Sequence, residues 1–144
     1  KGTGNVALAL LRGYGLKGGA MATSVAHDSH NIIVAGDNDD DMGLCVSHLV
    51  GSGGGMVIAK QGKILAFFAQ PVAGLMSTED GPEIERNLDT LHRIATSELH
   101  VSKDIDPFMT LCFMSLPVIP TYKLTDMGLF DVRSFSFVPL ELSK

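Results

Sequence analysis

The chain has 144 residues, 45% of them hydrophobic, and a formal net charge of −5. A chain of that length buries roughly 68–70% of its unfolded surface, enough for one domain with a real core. Lys and Arg are scattered, which leaves no electrostatic footprint for nucleic acid and no polybasic membrane anchor. No apolar run approaches the roughly 20 residues that span a bilayer.

A cytoplasmic protein with neither nucleic acid nor membrane as partner is the expectation from these bounds. The chain opens Lys1-Gly2-Thr3-Gly4 without a methionine, which reads as a start in the middle of a longer polypeptide. Residues 5–12 carry Val6, Leu8, Leu10 and Leu11, a pattern that fits a short helix ended by Gly13 or a strand, with the helix preferred. Glycines 13, 15, 18 and 19 then mark a loop. Their spacing matches neither a dinucleotide fingerprint nor a P-loop, so no phosphate cradle is assigned.

Residues 18–23 and 32–36 have the small and β-branched character of short buried strands. Between them lies Ser24-Val25-Ala26-His27-Asp28-Ser29-His30-Asn31, the densest concentration of functional groups in the chain. Two imidazoles, a carboxylate, a hydroxyl and an amide within five residues are the groups that acid/base or substrate-orienting work requires. The acidic run 37–41 lacks the central Gly and later Glu of a calcium loop. It predicts helix initiation instead, with Asn38 or Asp39 as N-cap, the helix running over 39–50 and stopping at Gly51.

Two apolar runs, 56–60 and 63–69, joined by Gln61-Gly62, predict a β-hairpin. Residues 71–76 form an irregular apolar segment, and the stretch 77–82 opens a second helix. Its stripe is Ile84, Leu88, Leu91, Ala95 and Leu99, with His92 and His100 on its solvated side and at its end. Residues 108–116 are apolar on both faces and read as a central strand ended by Pro117-Val118-Ile119-Pro120. Residues 121–126 read as a loop and 134–138 as a last strand packed on one side. Cys45 and Cys112 each sit in an apolar pattern and are expected as buried reduced thiols. The fold class is therefore α+β, a mixed and largely antiparallel sheet with two main helices packed on it.

Several segments taken together resemble the C-terminal domain of microbial adenine deaminases over nearly the whole chain. They are Gly15-Leu16-Lys17, the Ser24 to Asn31 string, Gly53-Gly54-Gly55, Ala73-Gly74-Leu75-Met76, Leu116-Pro117-Val118-Ile119-Pro120 and Lys123-Leu124-Thr125-Asp126. The resemblance implies that residues 1–144 belong to a purine-salvage aminohydrolase of the amidohydrolase superfamily, which converts adenine and water to hypoxanthine and ammonia. It implies a metal-dependent barrel N-terminal to this domain, with a binuclear manganese or iron centre, and a homo-oligomeric enzyme. The implied partners of the domain are its own barrel and, for the whole enzyme, adenine.

Amidohydrolases usually begin their metal set with His-x-His, and this chain has none. Nor has it the His-x-Glu and Pro-Cys-x-x-Cys pattern of the cytidine-deaminase type. No metal ligand is assigned within the chain, and deaminase activity is not expected of it alone. His27, Asp28, Ser29, His30 and Asn31 are the candidates for lining the substrate site or relaying protons, in a turn where Asp28 fixes an imidazole and His30 or Asn31 faces the barrel. The competing reading is that Asp28, Ser29 and Asn31 only satisfy backbone groups of a tight turn while the histidines pack between domains. A purely structural or oligomerisation domain, with no residue near substrate, is the alternative at the level of function.

Overall fold

The computed structural model describes residues 4–140. The reading of an abrupt start rests mainly on residues 1–3 and lies outside the described residues.

The chain first makes two short strands, β1 (Ala20–Thr23) and β2 (Ile33–Gly36), then a helix, α1 (Asp39–Ser52). A hairpin follows, β3 (Gly55–Lys60) and β4 (Lys63–Ala69), then the long helix α2 (Gly81–Leu99). These strands form one sheet in the order β2-β1-β3-β4, every neighbouring pair antiparallel. Alternation of side chains along each strand gives the sheet two different faces. Ala20, Ala22, Val57 and Ala59 meet Cys45 and Leu49 of α1 on one face. Met21, Ile58 and Phe68 meet Leu91, Ala95 and Leu99 of α2 on the other. The α1 face is built of small residues, so the helix lies close. A Cβ on Gly36 would fall 2.8 Å from the Cβ of Ala20.

The acidic run does what helix initiation predicts, and more. Asn38 is the N-cap, its Oδ1 accepting from the Asp41 N–H at 2.8 Å. Asp37 turns back and accepts from the Gly18 and Gly19 N–H groups at 2.6 and 3.0 Å. Asp41 is buried and accepts from the Gln61 and Gly62 N–H groups at 3.0 and 2.8 Å, tying α1 to the hairpin turn. Both turn residues have positive φ, the conformation that a two-residue hairpin of matching twist demands. The stripe of α2 is as the spacing predicts, with Leu91, Ala95 and Leu99 fully buried and Ile84 and Leu88 packed against them.

Five expectations are corrected. Residues 5–12 form neither helix nor strand; no core surface receives their apolar side chains, and a short helix without tertiary packing does not offset its nucleation cost. Helix α1 runs past Gly51 to Ser52 and is capped by Gly53 at φ 82°. The run read as a central strand is a third helix, α3 (Pro107–Phe113), followed by turns. Asp106 caps it by accepting from the Met109 N–H at 2.7 Å, and Pro107 occupies its first turn. An apolar run of this length does not distinguish a buried strand from a buried helix. Residues 121–126 are not a loop but hold β5 (Tyr122–Thr125), which pairs with an unforeseen β6 (Gly128–Asp131). The expected last strand is reduced to β7 (Ser136–Phe137), so β5-β6-β7 form a second, separate antiparallel sheet. The α+β class holds, with two sheets and three helices among the described residues.

Candidate functional site

The end of the sheet where β1 and β4 finish and β3 begins is organised by Ser24. Its buried Oγ accepts from the Gly55 N–H at 2.8 Å and donates to the Gly74 carbonyl at 2.6 Å. One hydroxyl thus joins the end of β1, the glycine-rich start of β3 and the irregular segment 71–76. The Gln70 N–H adds a further bond to the Gly54 carbonyl, at 3.2 Å. From this fixed point the chain leaves the sheet as the 25–32 connection.

The connection is a tight turn held by its own backbone. The His30 N–H donates to the Ala26 carbonyl and the Ser29 N–H to the His27 carbonyl, both at 2.8 Å. Asp28 and His30 adopt left-handed φ values of 61° and 49°, a region non-glycine residues enter at a cost and Asp and His tolerate better than most. Ala26 is fully buried and anchors the turn in the core. The His27 N–H donates to the Cys112 carbonyl at 3.2 Å, docking the turn onto the last turn of α3.

The side chains of the turn take no part in holding it. Ser29 and His30 are exposed and Asn31 is half-buried, and none of the three side chains hydrogen-bonds to another described residue. The Asp28 side chain is 76% exposed and makes a polar approach to His27, with Oδ1 3.2 Å from Nδ1. That contact is an ion-pair approach without hydrogen-bond alignment, and Nδ1 is otherwise shut off from solvent. The His27 ring also lies 5.0 Å from the Phe113 ring, tilted by 37°. The structure therefore brings His27 and Asp28 together, leaves Ser29 and His30 projecting, and keeps Asn31 at the root of β2.

Phe113 and Cys112, which set His27, are hidden in the sequence because their segment has the pattern of a buried strand. The signal that finds them is Asp106-Pro107, an N-cap followed by proline at the first helical position. The other three histidines lie elsewhere: His48 on α1 meets the Phe67 ring edge-on at 4.4 Å, His92 on α2 approaches Asp106, Nε2 to Oδ2 at 3.4 Å, and His100 is the left-handed cap of α2. Both cysteines are free and buried. Burial pushes the Cys45 thiol up to about 12 and raises that of Cys112, the direction that disfavours the thiolate.

A cavity of about 450 Å³ lies away from the turn, between the outer side of β2 and the second sheet. Leu16, Ile33, Met114, Leu124 and Leu129 line it, with Tyr14. The Tyr14 hydroxyl donates to the Pro107 carbonyl at 2.6 Å; burial, and then the Asp106 charge, push its pKa up. The phenol is a tie between the N-terminal segment and α3. No group of three His, Cys, Asp or Glu side chains converges among the described residues, so these residues do not fit a binuclear metal centre.

A family model described as the adenine deaminase C-terminal domain matches residues 1–136. An adenine deaminase of Nitratidesulfovibrio vulgaris is 56% identical over 137 residues, which cover 95% of this chain and 24% of that relative. A protein named adenine deaminase 2 from Desulfotalea psychrophila is 54% identical over 139 residues, 96% of this chain and 24% of its own length. One of the same name from Carboxydothermus hydrogenoformans is 51% identical over 140 residues, with 97% and 24% covered. The chain thus spans about a quarter of the length of the curated relatives it matches.

Proposed function

The chain belongs to the adenine deaminase C-terminal domain family, and on that premise we propose that it serves the hydrolysis of adenine to hypoxanthine and ammonia as the domain that packs on a catalytic barrel and closes its mouth. The observation that carries this reading is the state of the 26–31 turn. Backbone bonds hold it, within the turn and to the Cys112 carbonyl, so the His30 imidazole, the Ser29 hydroxyl and the Asn31 amide stay unbonded and the His27–Asp28 pair keeps an exposed side. The Asp28, Ser29 and Asn31 side chains make no hydrogen bond to the turn's backbone among the described residues, which supports this reading over one in which they only satisfy backbone groups. Non-glycine residues in left-handed conformations, held by the surrounding structure, are a recurrent feature of functional loops.

Hydrolytic deamination builds a tetrahedral centre at the amine-bearing carbon, and the leaving amine must receive a proton. Metal activation of water is assigned to the amidohydrolase barrel of the longer polypeptide, with manganese or iron. This domain supplies groups that orient the purine, exclude water and move protons. Purine salvage in the cytoplasm, by a homo-oligomer, is the setting proposed for the whole enzyme. A second reading, a docking or oligomerisation domain, is favoured by a different observation: Val6, Leu8, Leu10, Val118, Ile119 and Met127 present large apolar side chains to solvent. The two readings share a docked domain and differ in what the turn does.

The test is steady-state ammonia release from adenine by the full-length deaminase carrying this domain, with His27→Ala and His30→Ala introduced separately. The expected outcome is a fall in turnover of about a hundredfold for at least one of them, the size of a lost acid/base group. Unchanged turnover and unchanged substrate affinity in both variants would leave only the docking role.

A further inference from the structure

We propose that Phe113 is a positioning residue which, together with Asp28, holds the His27 imidazole with only Nε2 directed out of the domain, making His27 rather than His30 the group that carries the proton to the leaving amine. The inference rests on the reading of the turn as part of the adenine site. It adds which histidine acts, in which tautomer, and what holds it.

Three contacts on three sides fix the His27 ring and its backbone. The Cys112 carbonyl, at the end of a short helix and also accepting from the Ser115 hydroxyl, takes the His27 N–H at 3.2 Å. The Phe113 ring, 5.0 Å away and tilted by 37°, covers one side of the imidazole. The left-handed Asp28 brings its carboxylate back to 3.2 Å from Nδ1, which no solvent reaches. His30 has none of these: its ring meets no aromatic and no carboxylate among the described residues, and it projects from the turn. The contact is not aligned as a hydrogen bond, but the negative charge beside Nδ1 favours the tautomer with its proton there, which leaves Nε2 as the acceptor. Nε2 meets no partner among the described residues, while 43% of the side chain remains exposed.

The chemistry balances without any further reactant. Water adds at the amine-bearing carbon of the purine as the ring C=N pair moves onto the ring nitrogen; Nε2 takes one proton from the added oxygen, and the imidazolium so formed is stabilised by Asp28. That proton passes to the amine nitrogen as its bond to carbon breaks and the ring C=N pair re-forms, and the second water proton stays with the product, on its oxygen or ring nitrogen. Ammonia leaves and the imidazole returns to its starting form.

The experiment is a double-mutant cycle in the full-length deaminase, reading kcat and KM for adenine separately in His27→Gln, Phe113→Leu, the pair together, and Phe113→Tyr. His27→Gln is expected to lower kcat about a hundredfold, and Phe113→Leu about tenfold through a misplaced ring, both with KM unchanged. The leucine substitution has no further effect once His27 is gone, and Phe113→Tyr, which keeps the ring face, restores kcat. Additive losses, a loss confined to KM, or a tyrosine variant no better than leucine would overturn the positioning role while the function of the turn survives. A His27→Gln enzyme with normal kcat would overturn it as well, and an unchanged His30→Ala enzyme would then take the proposed function down too. If Phe113→Leu fails to fold, the exposed Asp28→Asn takes its place in the cycle, with the same non-additivity expected and additivity again overturning the proposal.

Discussion

The two sheets of this domain are both antiparallel, yet they sit in opposite environments. In the four-stranded sheet every residue of β1 is buried, and helices cover both faces. The three-stranded sheet buries Phe130, which packs edge-on against Phe135 and Phe137, and leaves those two rings largely in solvent. Phe135 is 77% exposed, and in the N-terminal segment Leu10 is 91% exposed. The first sheet completes its own core. The second sheet and the N-terminal segment present apolar area that a partner surface would cover, which is the pattern of a domain that functions against a neighbour.

The largest effect expected from that contrast lies in the first sheet. Ile58 is fully enclosed between β3 and α2, so Ile58→Ala removes burial and leaves a cavity. It should lower the stability of the chain by about 4 kcal/mol in denaturant or thermal unfolding. Phe137→Ala in the second sheet, where 51% of the side chain already faces solvent, should cost less than half of that despite the larger side chain. Equal costs at the two sites would erase the distinction between a closed and an open sheet.

A smaller effect, with a pH signature, comes from the carboxylate that fastens α1 to the hairpin. Burial pushes the Asp41 carboxyl up, but the Gly62 N–H, the Asn38 amide and the Gln61 N–H together outweigh it and hold it below the ordinary carboxylate range. Asp37 is likewise lowered, chiefly by the Gly18 N–H. A carboxyl whose pKa falls on folding stabilises the folded state above its unfolded value of about 3.9, and that stabilisation is lost as pH drops through the folded pKa. Asp41→Asn should therefore destabilise the chain at pH 7 by about 2 kcal/mol and by progressively less on acidification. Parallel stability curves for the two proteins between pH 7 and pH 3 would show that the carboxylate's charge is not what joins helix to turn.

The contrast between the sheets also explains what the sequence discloses. Helix α1, the β3-β4 hairpin and the stripe of α2 are legible because a cap, a two-residue turn and a 3.6-residue period are local signals that the first sheet's core reinforces. Residues 108–116 are misread because burial on all sides erases periodicity; only Asp106-Pro107, outside the run, reveals a helix. The second sheet is nearly invisible because its strands are short and half-polar and lack the inward apolar face that marks β3 and β4. At the site, the cluster at His27, Asp28, Ser29, His30 and Asn31 is plain in the sequence. What holds it is not: Cys112 and Phe113 lie some eighty residues away and come to His27 only because α3 packs on β1 and β2.

The smallest effect on stability is the sharpest test of what the second sheet is for. Phe135 has a left-handed φ of 49° and keeps only an edge contact with Phe130. Phe135→Asn, a residue that accepts that backbone conformation readily, should change the unfolding free energy of this chain by no more than about 0.5 kcal/mol. If the exposed face is a docking surface, the same substitution in the full-length deaminase weakens contact between this domain and its neighbour. Thermal unfolding of the full-length protein then falls by several degrees while that of the chain alone does not. A substitution silent in both settings would place the docking contact elsewhere, on the N-terminal segment that carries Val6, Leu8 and Leu10, and would leave the ring of Phe135 as cover for Phe130 alone.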